Sequence, residues 1–349
     1  MFKSFLNIFM VRKIKKPVEE SADEKFQRAF DSLQQQDSGY ADNLRAEVSH
    51  WGREGVYNAL AREVSLDPGE LHVDLGAGMM NLVNSIQRQN PEAVVLGVER
   101  NTSVVSSALA LFRALGIDPK ICHSEFFCVD TRGRIRTVYD REDVVRARGD
   151  LVDSQQLQFR SMLPYLAPID DSFLTPDQTI KIAIDDLREM RVVSRLLGDR
   201  KIDSASITFP GSGERPAFEA PHDFPKRGKS VPDAVAIPRM HEAVHQAITS
   251  GLAYLTERVR KGGELLLAER LMDTGTDDFM VGSLVAMIRD RFGKHFDSWD
   301  LRSVGLTQVV KKPAGLAWDL VAKRGGDVSG VKVDPEGKFR IGVVKLQRK

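Results

Sequence analysis

Short apolar runs alternate with helix-length segments through most of this chain. The apolar runs predict strands at 71–75, 93–98, 179–187, 201–211 and 264–270. Apolar residues at helical spacing predict the segments between and after them as helices, at 79–89, 102–115, 189–197, 238–260 and 280–292. Strands that alternate with helices are typical of a parallel sheet covered on both faces. The pattern therefore predicts a doubly wound α/β fold.

One stretch, residues 117–178, interrupts the alternation. Within it, residues 126–140 have valines and aromatics at strand spacing around the turn Thr131-Arg132-Gly133, which predicts a hairpin. An insertion of about sixty residues is far longer than the usual connection between a helix and a strand. We expect it to lie over the ligand-binding edge of the sheet and to shape the choice of substrate.

The two ends of the chain differ from its middle. The segments 300–310 and 314–324, separated by Lys311-Lys312-Pro313, predict an antiparallel pair that closes the sheet. The predicted units are a leader and linker at 1–23, a helical cap at 24–70, a main domain at 71–324 that contains the insertion, and a hairpin extension at 325–349.

The strongest chemical signal lies where the first two predicted strands end. The first strand continues as LHVDLGAGMMN, which places Asp74, Gly76 and Gly78 at its end, and the second strand ends in Glu99. Glycines allow the backbone to approach a ligand closely because they carry no Cβ. A carboxylate about twenty residues further on suits the hydroxyls of a ribose. This spacing predicts a nucleoside-binding site at the carboxyl edge of a parallel sheet.

These residues resemble motifs I and II of the class I (Rossmann-like) S-adenosylmethionine-dependent methyltransferases, which read hhDhGxGxG and hhGhE/D. The match covers Val73–Gly78 and Leu96–Glu99, and Met80 stands where the third glycine usually lies. Apart from the insertion, the resemblance covers residues 71–324. It implies a mixed seven-stranded sheet with a reversal between strands 6 and 7, S-adenosyl-L-methionine as cofactor, and methyl transfer as the activity.

The resemblance also implies a role for each site residue. The acid and glycines of the first motif would flank the methionine and sulfonium part of the cofactor, and Glu99 would accept hydrogen bonds from the ribose hydroxyls. Asp185 or Asp186 would accept from the adenine amine, although an Asp between a strand and a helix is equally suited to cap the helix. The predicted cofactor site comprises Asp74, Gly76, Gly78, Glu99, Asp185 and Asp186.

The fourth predicted strand and the Gly/Pro-rich loop after it, residues 211–232, are expected to face the acceptor. Phe209-Pro210 and the basic run Lys226, Arg227 and Lys229 resemble parts of the FPDPW…KxRHxKRR segment of tRNA guanine-N7 methyltransferases. The tryptophan and the second proline of that segment are absent. Since a basic loop can contact phosphates, RNA is one candidate acceptor. No catalytic residue is assigned, because transfer to an already nucleophilic atom chiefly requires positioning.

Two other interpretations concern the glycine loop itself. A dinucleotide fold would need a glycine at position 81, where the chain has Asn. A non-catalytic member of the methyltransferase fold also stays open, because Met79-Met80 could crowd the methionine moiety of the cofactor.

A third interpretation concerns zinc. His241-Glu242-Ala243-Val244-His245 fits HExxH, and Glu257 or Glu264 lies downstream as a possible third ligand. This segment lies on the helix that would join the fourth and fifth strands, where two histidines on a helix surface need no metal. We therefore expect no metal site.

Composition sets the remaining expectations. The chain has 349 residues, a net charge of +1 and two cysteines, Cys122 and Cys128, so neither a strongly basic surface nor a disulfide framework is expected. The leader MFKSFLNIFMVRKIKK is too short to span a bilayer, and we favour local packing over contact with a membrane surface. The expected location is the cytoplasm.

Overall fold

A computed structural model describes most of the chain from residue 56 onwards. The described residues are 56–100, 102–123, 126–129, 135–138, 162–170, 172–208, 233–272, 276–306, 310–311 and 338–349. The predicted leader and most of the predicted helical cap lie outside these residues.

The described helices are α1 (Val56–Arg62), α2 (Asn81–Gln89), α3 (Thr102–Leu115), α4 (Arg191–Leu197), α5 (Asp233–Arg258) and α6 (Asp277–Phe292), with short 3₁₀ helices at Leu163–Tyr165 and Gly293–Ser298. The described strands are β1 (Leu71–Leu75), β2 (Val94–Glu99), β3 (Lys120–His123), β4 (Phe126–Val129), β5 (Ile135–Val138), β6 (Lys181–Ile184), β7 (Ile202–Thr208), β8 (Val259–Met272), β9 (Trp299–Leu306), β10 (Val310–Lys311) and β11 (Lys338–Arg348). The predicted alternation of strands and helices is therefore present.

Nine of the described strands form one mixed sheet. Its order is β3-β6-β2-β1-β7-β8-β11, and β9 and β10 both pair with the far edge of β11. The six strands β3, β6, β2, β1, β7 and β8 are parallel to one another, and β11 runs antiparallel to β8 and to β9. When β3, β10 and β11 are left out, the remaining strands β6, β2, β1, β7, β8 and β9 follow the 3-2-1-4-5-6 order of a doubly wound sheet. The prediction of seven strands is thus too low for the described residues, because the edge strand β3 and the short β10 add to the sheet.

The strand that reverses direction differs from the one predicted. Residues 338–348 form β11 inside the sheet between β8 and β9, rather than part of an appended hairpin, and residues 314–324 lie outside the described residues. Two basic residues of β11 have partners within the fold. Lys345 Nζ lies 3.5 Å from Glu63 Oε2, and Arg348 donates hydrogen bonds to the carbonyl oxygens of Thr256 and Ser298.

Helices cover both faces of the sheet. The apolar sides of α1, α2 and α3 pack on one face, and those of α4, α5 and α6 pack on the other. All five residues of β1 are consequently buried. This double coverage leaves the carboxyl edge of the parallel strands as the place where their ends and loops come together.

Part of the predicted insertion is described. Strands β4 and β5 pair antiparallel in register from Phe126–Val138 to Val129–Ile135, so the predicted hairpin is confirmed. Preceding it, β3 pairs parallel with β6 and extends the sheet beyond β6. None of the helices in the described part of the chain has the length and apolar character needed to cross a bilayer.

Candidate functional site at the end of β1 and β2

The glycine loop leaves β1 in a conformation that favours glycine. Gly76 and Gly78 have φ values of +71° and +52°, in the left-handed region that a Cβ disfavours. The amides of Gly76 and Ala77 both donate to the carbonyl oxygen of Val98 at 2.9 Å, which ties the loop to β2. A Cβ on Gly78 would meet no described atom within 4 Å, so the backbone borders open space there.

The two sequence motifs meet in one hydrogen bond. The backbone amide of Gly78 donates to Glu99 Oε2 at 3.0 Å, across 21 positions of sequence. Parallel pairing of β1 with β2 makes this contact possible, because it brings Leu75 beside Val98 and the two strand ends to the same edge. Glu99 is partly buried, and its carboxylate lies beside the most open part of the glycine loop.

Asp74 is completely buried next to this loop. The Ser206 hydroxyl donates to its Oδ1 at 2.6 Å, and its Oδ2 has no hydrogen-bond partner among the described residues. Burial raises the pKa of Asp74 to about 7; the hydrogen bond from Ser206 opposes the rise and the nearby charge of Glu99 adds to it. A buried carboxylate oxygen without a partner is costly unless a donor or a cation reaches it.

Sequence reasoning missed the polar side chains that adjoin Asp74. His72 and Asp74 lie two residues apart on β1, and Ser204 and Ser206 occupy the paired positions on β7. His72 Nδ1 lies 3.1 Å from Ser204 Oγ, and Nε2 lies 2.9 Å from Ser206 Oγ. Burial lowers the pKa of His72 to about 3, so the ring is neutral at physiological pH. The sequence does contain a signal for these contacts, because polar residues occupy alternate positions of two apolar strands.

The side chain of Met80, which replaces the third motif glycine, packs into the core. Met80 precedes α2 with φ +62° and is completely buried. Its sulfur packs where a Cβ on Gly97 of β2 would be, and it belongs to the core beneath α2 and α3. The described packing therefore turns this side chain toward β2 rather than leaving it over the loop.

Asp185 follows β6 and caps α4. The backbone amides of Asp186 and Arg191 donate to its Oδ1 at 2.9 and 3.2 Å, and that of Val193 donates to Oδ2 at 2.9 Å. Burial raises its pKa to about 6, against the lowering effect of these hydrogen bonds. The sequence left two roles open for Asp185. These contacts with backbone amides are those of a helix cap.

Asp186 lies nearer to solvent and between two arginines. Arg188 donates to both of its carboxylate oxygens, and Arg100 Nη1 lies 3.3 Å from Oδ2. Its pKa is lowered by these partners despite some desolvation, so it is an ionised carboxylate at neutral pH. The next residue, Leu187, reaches the glycine loop: a Cβ on Gly76 would lie 3.8 Å from Leu187 Cδ1. No pattern in the sequence predicted this apolar contact.

The predicted acceptor-binding residues lie outside the described residues. These are Phe209, Pro210, Lys226, Arg227 and Lys229, which follow the last described residue of β7. The HExxH segment lies on α5, as expected, and His245 is exposed. Among the described residues, no group of three His, Cys, Asp or Glu side chains is placed to hold a metal ion.

No protein-family model and no curated protein sequence matches the chain. Solved structures do match. A Thiobacillus denitrificans S-adenosylmethionine-dependent methyltransferase in complex with S-adenosyl-L-homocysteine is 12% identical, with TM-score 0.43, covering 90% of this chain and 99% of that one. An rRNA methylase from Streptococcus thermophilus is 11% identical, with TM-score 0.35 and coverages of 84% and 94%. TrmN from Thermus thermophilus is 11% identical, with TM-score 0.36 and coverages of 84% and 48%, so the chain spans about half of its length.

The strand order itself agrees with the resemblance seen in the sequence. The parallel strands follow the order of a dinucleotide-binding sheet, and one antiparallel strand, β11, is inserted between β8 and β9. The glycine loop follows the first strand and the acidic residue Glu99 ends the second. The fold is an α/β fold with a mostly parallel mixed sheet, consistent with that of class I methyltransferases.

Proposed function

We propose that this protein binds S-adenosyl-L-methionine at the carboxyl edge of β1 and β2 and transfers its methyl group to an acceptor. The observation that carries the proposal is the hydrogen bond between Gly78 and Glu99 beside an open stretch of backbone. It joins the two motifs that the sequence combines into one predicted nucleoside site.

The residues present suit the three parts of this cofactor. Glu99 supplies a carboxylate for a ribose diol, and the glycine loop supplies backbone without side chains. Asp74 Oδ2, buried and without a described partner, suits the ammonium group of the methionine moiety. Leu187 supplies an apolar contact beside Gly76. When bound, the cofactor supplies an electrophilic methyl group on a sulfonium; the protein's part is to position it and to exclude water.

The geometry of Met80 favours a cofactor-binding site over a degenerate one. The argument for a non-catalytic member was that Met79-Met80 could crowd the methionine moiety. Met80 is buried against Gly97 instead, and Met79 is also buried. The missing third glycine therefore does not argue against binding.

For the acceptor, we propose RNA as the first class to test. The support is the basic run Lys226, Arg227 and Lys229, which follows β7 in a segment that begins at the ligand edge of the sheet. The net charge of +1 gives no general attraction to nucleic acid, so any binding would depend on such a local cluster.

Calorimetric titration of the purified protein tests the cofactor. We expect S-adenosylhomocysteine and S-adenosylmethionine to bind and to raise the melting temperature, because a ligand of the native state stabilises it. NAD and zinc are the matched alternatives, for the dinucleotide fold and for the HExxH segment. Binding of NAD without S-adenosylhomocysteine, or stoichiometric zinc that is lost in His245→Ala, would overturn the proposal.

A further inference from the structure

Four buried polar side chains form a continuous hydrogen-bonded row that ends at the proposed site. The row runs Ser204–His72–Ser206–Asp74, with successive distances of 3.1, 2.9 and 2.6 Å. No member is more than 5% exposed. Parallel pairing of β1 with β7 creates the row, because it sets His72 beside Ser204 and Asp74 beside Ser206.

The row has a direction, because a hydroxyl has one proton and a neutral imidazole has one N–H. When Asp74 is ionised, Ser206 donates to it, His72 donates to Ser206 from Nε2, and Ser204 donates to His72 Nδ1. When Asp74 is protonated and donates to Ser206, every donor reverses and His72 carries its proton on Nδ1. Both arrangements satisfy the same four side chains, so the direction of the row and the charge of Asp74 are linked.

We propose that Ser204, His72 and Ser206 are positioning residues that hold Asp74 as a carboxylate for a primary ammonium group of the ligand. This inference rests on the proposed function, which supplies an ammonium in the methionine moiety. The ammonium would reach Oδ2, the oxygen without a described partner, while the row occupies Oδ1. Binding of the cation selects the direction in which Ser206 donates to Asp74.

The charges around Asp74 explain why such support is needed. On β2, Glu99 repels a second negative charge, and burial also disfavours one, so both raise the pKa of Asp74. On β7, Ser206 is the neighbour that lowers it. On β1, His72 contributes no charge, because its low pKa keeps it neutral and able to donate and accept at once.

This arrangement makes the affinity for an ammonium-bearing ligand depend on pH. Because Asp74 titrates near pH 7, S-adenosylhomocysteine should bind about tenfold or more weakly at pH 5.5 than at pH 8.0. A nucleoside without the amino-acid part, 5′-methylthioadenosine, should show little change over this range. Asp74→Asn should remove the difference between the two ligands.

The role of the row is tested by substituting Ser206 and His72 and measuring how the affinity for S-adenosylhomocysteine depends on pH. Ser206→Ala removes the donor to Oδ1 and should move the midpoint for S-adenosylhomocysteine upward by about one pH unit. His72→Leu should move it in the same direction, whereas His72→Gln, which keeps a donor for Ser206, should restore it toward the wild-type value. Circular dichroism identifies variants that fold.

The midpoint for Asp74 can also be followed without ligand, from the ¹³C shift of its carboxyl carbon. A higher titration midpoint of Asp74 in Ser206→Ala supports the role of the row even if His72→Leu does not fold. Unchanged profiles in Ser206→Ala and His72→Leu, alongside normal binding of S-adenosylhomocysteine, would overturn the proposed role of the row but not the proposed function. Absence of binding at every pH, with a normal carboxyl titration, would overturn the function and leave the coupling within the row standing.

Discussion

Met80 and Gly97 are complementary across the connection between β1 and β2. Met80 lies where the resembling family has a glycine, and its sulfur occupies the space that a Cβ on Gly97 would need. Val83 borders the same space, since that Cβ would lie 2.9 Å from its Cγ2. The glycine of the second motif thus accommodates the unusual residue of the first.

Gly97→Ala is expected to destabilise the protein by about 1–3 kcal/mol, the range for overpacking a core. In a Met80→Ala background the same change should cost less, because the closest of the obstructing side chains is gone, with a coupling of about 0.5–3 kcal/mol. Denaturant unfolding of the four proteins gives this coupling. Gly282→Ala, at an exposed helix position with no atom near its Cβ, is the control and should be neutral or slightly stabilising. Equal costs of Gly97→Ala in both backgrounds would refute the relationship.

Glu99→Ala is expected to weaken binding of S-adenosylhomocysteine by about 1.5–3 kcal/mol, the range for a hydrogen bond to a charged group. The fold should persist, because the side chain is only partly buried and lies at a strand end. Calorimetry gives the affinity, and Glu189→Ala is the control, since Glu189 is exposed and pairs with the exposed Arg191. Wild-type affinity in Glu99→Ala would remove Glu99 from the site.

Substitutions of Asp185 and Asp186 are expected to affect different properties, which are stability for Asp185 and cofactor binding for Asp186. Asp185→Ala removes the acceptor for two backbone amides at the start of α4 and for the amide of Asp186, and it should cost about 1–3 kcal/mol of stability. Asp186→Ala removes contacts to two half-exposed arginines and should cost less than about 1 kcal/mol. If Asp186 contacts the adenine, it alone should weaken S-adenosylhomocysteine binding without unfolding the protein. A fully stable Asp185→Ala would show that the cap is unimportant.

How much the sequence could predict depends on how local the signal is. The loop from Asp74 to Gly78 and the acid Glu99 were predictable because strand, glycine and acid all fall within one β-α-β unit. The capping role of Asp185 was foreseen as one of two alternatives, because the same residue type serves both roles at a strand end. Only the contacts of its two oxygens distinguish them.

The misassigned features depend on partners that are distant in sequence. Position in a sheet is not encoded within a strand, so the sequence predicted residues 325–349 as a hairpin extension, whereas residues 338–348 lie inside the sheet as β11. The row from Ser204 to Asp74 likewise depends on the register of two strands that are 132 positions apart. Neither strand alone shows which polar residues face each other.

His72 and Asp74 should give the stability opposite dependences on pH. The pKa of Asp74 is raised from 3.8 to about 7, so the folded state binds the extra proton and stability falls as pH rises through this window. The pKa of His72 is lowered from 6.5 to about 3, so the unfolded state binds the extra proton and stability rises with pH between these values. In the shared window, from about 4 to 6.5, the two effects oppose each other.

Removing either residue should therefore expose the slope of the other. Relative to wild type, Asp74→Asn should make the free energy of unfolding increase more steeply with pH from about 4 to 6.5, and His72→Gln should make it decrease. Urea unfolding at several pH values measures both. Asp185, whose pKa is also raised, is present in every variant and cancels in the comparison. Parallel pH profiles for wild type and both variants would show that neither group is perturbed by folding.

The basic run after β7 should act on the acceptor and not on the cofactor. Replacing Lys226, Arg227 and Lys229 together by Ala should leave the affinity for S-adenosylhomocysteine unchanged, because the proposed cofactor contacts come from β1, β2 and their loop. If RNA is the acceptor, the triple variant should bind it more weakly and with a flatter dependence on salt, since each lost phosphate contact removes counterion release. Lys294, Arg302 and Lys349 offer a charge-matched control, because they lie in the 3₁₀ helix Gly293–Ser298, in β9 and directly after β11, and β8 separates β9 and β11 from β7 in the sheet. Wild-type protein that fails to bind RNA, or a triple variant with an unchanged salt dependence, would exclude this acceptor and favour a small molecule or a protein.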